Sequence, residues 1–90
     1  MRITYDAEKR ALTLAKRGLD FEDARQIFES VHLQMRDDRV DYGEERFISV
    51  GRVDGEPSVV VWTPRDGGRR IISMRKCNAR ERRRFRLARL

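Results

Sequence analysis

The hydrophobic spacing in the first third of the chain predicts two short helices. Residues 7–17 carry apolar side chains at intervals of three and four, which predicts one stripe facing the core. Asp6 is placed to cap the start of this helix, and Gly18 follows where helices often end in a left-handed residue. A second helix is predicted after Asp20, which forms a capping arrangement with Asp23. The two predicted inward faces are Ala7, Ala11, Leu14 and Ala15, then Phe21, Ala24, Ile27 and Phe28.

Most of the remaining chain changes to the alternation typical of β-strands. Val31, Leu33 and Met35 are apolar and alternate with polar residues, which is the pattern of a half-buried strand. Asp54-Gly55 predicts a hairpin, with residues 56–57 lengthening its loop, and residues 64–68 predict a further loop. The other predicted strands are 2–5, 46–53, 58–63 and 69–75.

The chain ends in an arginine-rich segment that predicts a third helix. Asn78 precedes Glu81 by three residues, a spacing typical of a capping box, and the helix would run from Ala79 to about Leu90. The order of elements predicts one α+β domain spanning residues 1–90. Its sheet is expected to be mainly antiparallel, with the first two helices on one face and the basic helix at the end of the chain.

Charge is distributed unevenly between the two halves of the chain. Residues 1–45 hold 8 basic and 11 acidic residues, whereas residues 46–90 hold 13 basic and 4 acidic residues, for a net charge of +6. All but three of the 21 basic residues are Arg, whose planar fork binds phosphate oxygens bidentately. The basic half is therefore expected to bind a polyanion. The alternative is an ordinary solvated surface that happens to be rich in Arg.

The same composition predicts where the protein works. No apolar run approaches the roughly 20 residues that a membrane span needs, and the charged start does not resemble a signal peptide. Cys77 is the only cysteine, so neither an internal disulfide nor a cysteine-rich zinc site is expected. We therefore expect a soluble, cytoplasmic protein that does not contact a membrane.

Five short segments, in a fixed order and at consistent separations, carry a family pattern. Tyr5-Asp6-x-x-Lys9 links the first strand to the first helix, and residues 16–24 form the turn into the second, with Arg17 where His is usual. The three remaining segments are 43–47 through Gly51, Arg65, and 71–76 followed by 80–82. In these segments the chain resembles the BrnT family of type II toxins, over nearly its whole length.

The resemblance implies a RelE-like fold and an endoribonuclease that arrests translation. It also implies neutralisation by a BrnA-like ribbon-helix-helix antitoxin, encoded beside the toxin, in a toxin-antitoxin heterotetramer or with the toxin as a homodimer. Operator DNA would be contacted only through that antitoxin.

Cleavage of RNA through its own 2′-hydroxyl requires proton removal, stabilisation of the charged phosphorane and protonation of the departing 5′-oxygen. The sequence has one His and one Cys, and its only clustered carboxylates are Asp37, Asp38 and Asp41, so neither a metal site nor another cofactor is expected. Arginines must then supply the electrostatic stabilisation.

Four residues are predicted to carry the chemistry. Arg75 would bind the scissile phosphate at the end of the last strand, and Arg65, on the neighbouring strand, is expected to converge on the same phosphate. Glu45 is the predicted base, with Arg46 orienting the substrate or keeping that carboxylate ionised. Each of these also has a plain reading as a surface or loop residue. Further RNA-binding residues are predicted at Arg69, Arg70, Lys76, Arg82 and Arg83.

Two aromatic residues and two other functions stay open on the sequence alone. Tyr42 and Trp62 are candidates for stacking on an unpaired base, although the apolar strand around Trp62 favours a core position. The alternatives to a nuclease are a non-catalytic RNA- or ribosome-binding module and a subunit whose positive face binds an acidic protein.

Overall fold

The computed structural model describes residues 1–89, so Leu90, where the third helix was predicted to end, lies outside the described residues. The strands are β1 (Ile3–Thr4), β2 (Leu33–Arg36), β3 (Phe47–Val53), β4 (Glu56–Arg65) and β5 (Gly68–Lys76). The helices are α1 (Ala7–Arg17), α2 (Ala24–Phe28) and α3 (Ala79–Leu87), and a single 3-10 turn, Phe21–Asp23, precedes α2.

The five strands form one mixed sheet in the order β1-β5-β4-β3-β2. Strands β2 to β5 follow one another as an antiparallel meander, as the sequence predicted. Strand β1 adds to the edge in parallel, pairing Ile3 with Arg69 and Thr4 with Arg70. The α+β class is therefore confirmed, with one parallel edge that the alternation of residues did not predict.

Both hairpins that connect the central strands have two-residue loops. Asp54 and Gly55 have φ of 50° and 81°, and Asp66 and Gly67 have φ of 51° and 74°. Two consecutive residues in the left-handed region match the twist of the flanking strands. The prediction that Glu56 lengthens the first loop is wrong, because Glu56 already pairs with Val53.

The main core lies between the first face of the sheet and α2 with its 3-10 turn. Gly51 lets α2 approach β3 closely, because a Cβ at that position would stand 2.9 Å from Ile27 Cγ2. Trp62 is buried here and its indole N–H donates to Ser49 Oγ at 2.9 Å, which confirms it as a core residue. The core consists of Leu19, Phe21, Ala24, Ile27, Val53, Val60, Trp62, Ile71 and Met74.

Helix α1 begins and ends as predicted but does not bury the predicted stripe. Asp6 accepts hydrogen bonds from the first backbone amides, and Gly18 has a φ of 67°. None of its residues is buried, and Leu14 is 47% exposed. The predicted inward face is therefore wrong. The helix instead contacts β5 and the 3-10 turn through a polar side, where Arg10 forms hydrogen bonds of 2.8 and 3.0 Å to Asp20.

Helix α3 lies on the second face of the sheet. Successive strand residues point to opposite faces, so Val59 lies opposite the core residue Val60. Phe85 of α3 is buried against Val59, Val50 and Cys77. The capping box between Asn78 and Glu81 is present as predicted. Only part of this second face is covered.

Candidate functional site

A small charged cleft lies where the start of α1 and the loop between β2 and β3 meet the end of β4 and the first residues of β5. Its volume is about 160 Å³. We call it the cationic cleft, because four of its side chains are basic and two are acidic. The basic ones are Lys9, Arg46, Arg65 and Arg70, and the acidic ones are Asp6 and Glu44.

Glu44 is the carboxylate around which the cleft is organised. Its Oε1 lies 3.3 Å from Arg46 Nη2, and its Oε2 lies 3.7 Å from Arg65 Nη2 and 3.5 Å from Thr63 Oγ1. These contacts are long for charge-assisted hydrogen bonds, which are usually 2.7–2.9 Å. Arg46 and Arg65 therefore contact Glu44 without forming a short, bidentate ion pair with it.

The fold holds the cleft residues in place through contacts on either side of them. The buried Thr63 hydroxyl donates to the Glu45 carbonyl at 2.6 Å and ties the loop to β4. The Arg46 guanidinium lies over the Tyr42 ring, 3.9 Å from its centroid, which restricts it to one side of the loop. Asp6 is already engaged, since it accepts from two amides of α1.

The structure places the predicted site residues in different regions. Arg46, Arg65 and Arg70 line the cationic cleft. The Glu45 side chain is exposed and points to Arg36 at 3.5 Å, outside the cleft lining. Lys9 and Glu44 line the cleft but were not among the predicted site residues, although both lie in the segments that carry the family resemblance.

The predicted convergence of Arg65 and Arg75 on one phosphate is wrong. Arg65 pairs with Gly68, whereas Arg75 pairs with Val59 at the other end of the same hairpin. Arg65 is six positions further along β4 than Val59, the partner of Arg75, which corresponds to roughly 20 Å at about 3.4 Å per residue. Strand spacing allowed the two side chains to be close, but antiparallel register puts them at opposite ends.

Arg75 is instead joined to the first turn of α3. Its guanidinium donates to both carboxylate oxygens of Glu81, at 2.6 and 2.8 Å. This pairing raises the pKa of Arg75 and lowers the pKa of Glu81 to about 2.

The other predicted RNA-binding residues are also spread over the molecule. The Arg69 guanidinium packs against the rings of Phe28 and Trp62, at 4.3 and 4.5 Å from their centroids, and burial lowers its pKa. Arg82 forms an ion pair with Glu56 at 3.0 Å. Lys76 and Arg83 are exposed.

Two wider features bear on the site. Among residues 1–89, no three His, Cys, Asp or Glu side chains stand close enough together to hold a metal ion. None of the helices described has the length and apolar character that crossing a membrane requires.

Comparison with known proteins agrees with the sequence resemblance. The family described as "Ribonuclease toxin, BrnT, of type II toxin-antitoxin system" matches residues 5–81. Among solved structures, the chain is similar to the Brucella abortus ribonuclease toxin BrnT, with 28% identity and a TM-score of 0.68 over 87% of this chain and 97% of that chain. No curated protein is similar enough in sequence to be matched. Because the family match spans most of the chain, this protein belongs to the BrnT family of ribonuclease toxins of type II toxin-antitoxin systems.

Proposed function

We propose that this chain is an endoribonuclease toxin that cleaves RNA at the cationic cleft without a metal ion. The observation that carries the proposal is that four basic side chains line the same cleft as Glu44, two of which, Arg46 and Arg65, lie 3.3 and 3.7 Å from its carboxylate oxygens. Such a group offers a phosphodiester several charged donors and a carboxylate in one place. A non-catalytic RNA-binding module needs the basic side chains but has no use for the carboxylate among them.

In this mechanism the phosphate of the RNA replaces Glu44 as the anion that Arg46 and Arg65 contact. Arg46 and Arg65 would bind its non-bridging oxygens and stabilise the charge that develops on the phosphorane. A single well-placed donor of this kind contributes about 3 to 4 kcal/mol to the transition state. A divalent cation is disfavoured here because the four basic residues outnumber the two acidic ones.

The proton transfers follow from the same arrangement. Glu44, released by the guanidinium groups, would accept the proton of the 2′-hydroxyl as that oxygen bonds to phosphorus. The bond to the 5′-oxygen then breaks, and Lys9 would supply the proton that this oxygen needs. The products are a 2′,3′-cyclic phosphate and a 5′-hydroxyl. Tyr42, already stacked with Arg46, would hold the adjacent base.

The biological setting is part of the same proposal. Type II systems pair a toxin with a protein antitoxin, and we infer a ribbon-helix-helix antitoxin of the BrnA kind, which alone would contact operator DNA. Cleavage of RNA in the cytoplasm would arrest translation. A RelE-like fold and a toxin-antitoxin heterotetramer or toxin homodimer are proposed on the family resemblance.

Two neighbouring glutamates provide a matched test. Purified protein is incubated with a single-stranded RNA in EDTA, and cleavage rates are compared for Glu44→Gln and Glu45→Gln. We expect cleavage by the unmodified chain, a loss of about 100-fold in Glu44→Gln as for removal of a general base, and little change in Glu45→Gln.

Other outcomes would redirect the proposal. A larger loss in Glu45→Gln would restore Glu45, the base predicted from the sequence, and place the reaction outside the cationic cleft. Cleavage that requires added Mg²⁺ would refute metal independence. RNA binding without cleavage, with or without Mg²⁺, would favour the binding module.

A further inference from the structure

The second face of the sheet carries an open groove beside α3. Its volume is about 340 Å³, and its floor is a continuous set of aliphatic side chains from three strands. We call it the apolar groove; the floor consists of Leu33, Met35, Ile48, Val50, Val59 and Val61. Met35 is 48% exposed, and Ile48 and Val61 are only half-buried. Apolar surface of this kind is stabilised by contact with a partner.

Basic side chains surround this floor. Arg39, Arg75 and Arg84 line the apolar groove, together with one acidic side chain, Glu81. Arg39 and Arg75 are paired within the chain, with Asp37 at 2.7 Å and with Glu81 at 2.6 Å. No ion pair holds Arg84 among residues 1–89, so the lining keeps a net positive charge, and a partner that fits it offers aliphatic side chains on one side and a carboxylate that reaches Arg84.

We infer that the apolar groove binds an acidic amphipathic segment of the antitoxin, an inference that rests on the proposed toxin-antitoxin function. RNA fits the groove poorly because bases are recognised by stacking on exposed rings. Phe85, the one aromatic residue in the lining, is 1% exposed. Complementary charge would speed the encounter and make it sensitive to salt.

The apolar groove also leads to the cationic cleft. Val59 and Val61 line the groove, and Thr63 and Arg65 line the cleft further along the same side of β4. Val61 and Thr63 are about 7 Å apart at strand spacing. A segment that lies along β4 in the groove therefore brings a carboxylate within reach of Arg65. The same contact that binds the antitoxin would block the phosphate site.

The test uses two groove variants, each with a matched control. Met35→Asp places a charge on the groove floor. Its control, Leu14→Asp, places the same charge outside the groove, at a position on α1 that is equally exposed. Arg84→Glu reverses a charge in the last turn of α3 within the groove, and Arg86→Glu does so in the same turn outside its lining. Binding is measured by fluorescence anisotropy with the labelled protein encoded beside this chain's gene and, separately, with a single-stranded RNA oligonucleotide.

We expect each groove variant to weaken binding of the encoded partner at least tenfold and each control to stay within threefold of the unmodified chain. Met35→Asp should cleave RNA at the unmodified rate, and circular dichroism checks that each variant is folded. If Met35→Asp does not fold, the comparison of partner binding between Arg84→Glu and Arg86→Glu tests the inference.

Equal partner binding by groove and control variants would overturn the groove inference while leaving the nuclease proposal intact. Weakened RNA binding in the groove variants alone would assign the groove to RNA. A partner that fails to bind the unmodified chain overturns both the antitoxin assignment and the groove inference. Absence of cleavage with groove-dependent partner binding refutes only the nuclease proposal.

Discussion

Arg75 and Glu81 form a bidentate ion pair that ties the end of β5 to the start of α3, with N–O distances of 2.6 and 2.8 Å. Glu81 also accepts a hydrogen bond from the backbone amide of Asn78 at 2.9 Å, so one carboxylate both caps α3 and anchors it to β5. The pair stands at the opposite end of the β4–β5 hairpin from the cationic cleft. Its first role is therefore to position α3.

Removal of Glu81 should lower stability with little effect on chemistry. Glu81→Ala loses the capping bond and the ion pair, and we expect the free energy of unfolding to fall by about 1 to 2 kcal/mol. Urea unfolding gives the stability, and RNA cleavage at saturating protein gives the activity. A loss of cleavage without a loss of stability would contradict this role.

Stability should also depend on pH in the acid range. Ion pairing lowers the pKa of Glu81 from 4.5 to about 2 and that of Asp37 from 3.8 to about 2. Because both values are lower in the folded state, their contribution is complete above about pH 5 and is lost as pH falls toward 2.

Unfolding measured between pH 6 and pH 2 tests this dependence. We expect the free energy of unfolding to fall over that range in the unmodified chain, and to fall less steeply in Glu81→Gln, which has no carboxylate to protonate. An equal slope in both proteins would show that Glu81 does not contribute.

Arg65 should matter more for cleavage than Arg75. Loss of one donor to a developing phosphorane costs about 100-fold or more in rate, and the structure puts Arg65 in the cationic cleft. We expect Arg65→Ala to lower kcat/KM about 100-fold and Arg75→Ala to change it less than fivefold. Arg36→Ala, an exposed arginine of β2, is the control. A greater loss in Arg75→Ala would place the phosphate site beside Arg75, the residue predicted from the sequence to bind it, at the α3 end of the sheet.

A side chain at position 51 should destabilise the fold because of its contact with Ile27. Gly51→Ala would put a methyl group 2.9 Å from Ile27 Cγ2 and 3.3 Å from His32 Cβ, and overpacking of this kind costs about 1 to 3 kcal/mol. Ile27→Ala removes the 2.9 Å contact and leaves only contacts of 3.3 Å, to the Cβ atoms of residues 27 and 32. The double variant should therefore be more stable than the sum of the two single losses allows, as a double-mutant cycle in urea would measure.

Local signals in the sequence were sufficient for most individual elements. The capping residues Asp6 and Gly18, the Asp54-Gly55 turn and the Asn78–Glu81 capping box each act over three or four residues, and the structure has all of them. Such features depend on backbone geometry that neighbouring residues dictate, so they can be recognised without knowledge of the rest of the chain.

Features that depend on distant residues were less predictable. The apolar stripe of α1, which includes Leu14, was expected to face the core, but α1 lies with its polar side against β5 through Arg10. Glu44 and Glu45 are adjacent in sequence and equally suited to proton transfer, yet only Glu44 lines the cleft. One residue of difference in the loop decides which carboxylate faces the arginines.

The amino-acid sequence by itself determined most of the secondary structure, the α+β class, the concentration of arginine in the second half and the family to which the chain belongs. Tertiary structure alone decided which arginines share a site. Strand register separates Arg65 from Arg75 by the length of a hairpin, while it brings Arg65 to Arg46 and Glu44. Register is fixed by turn geometry and by packing between neighbouring strands, so the position of a residue within one strand does not by itself specify its partner.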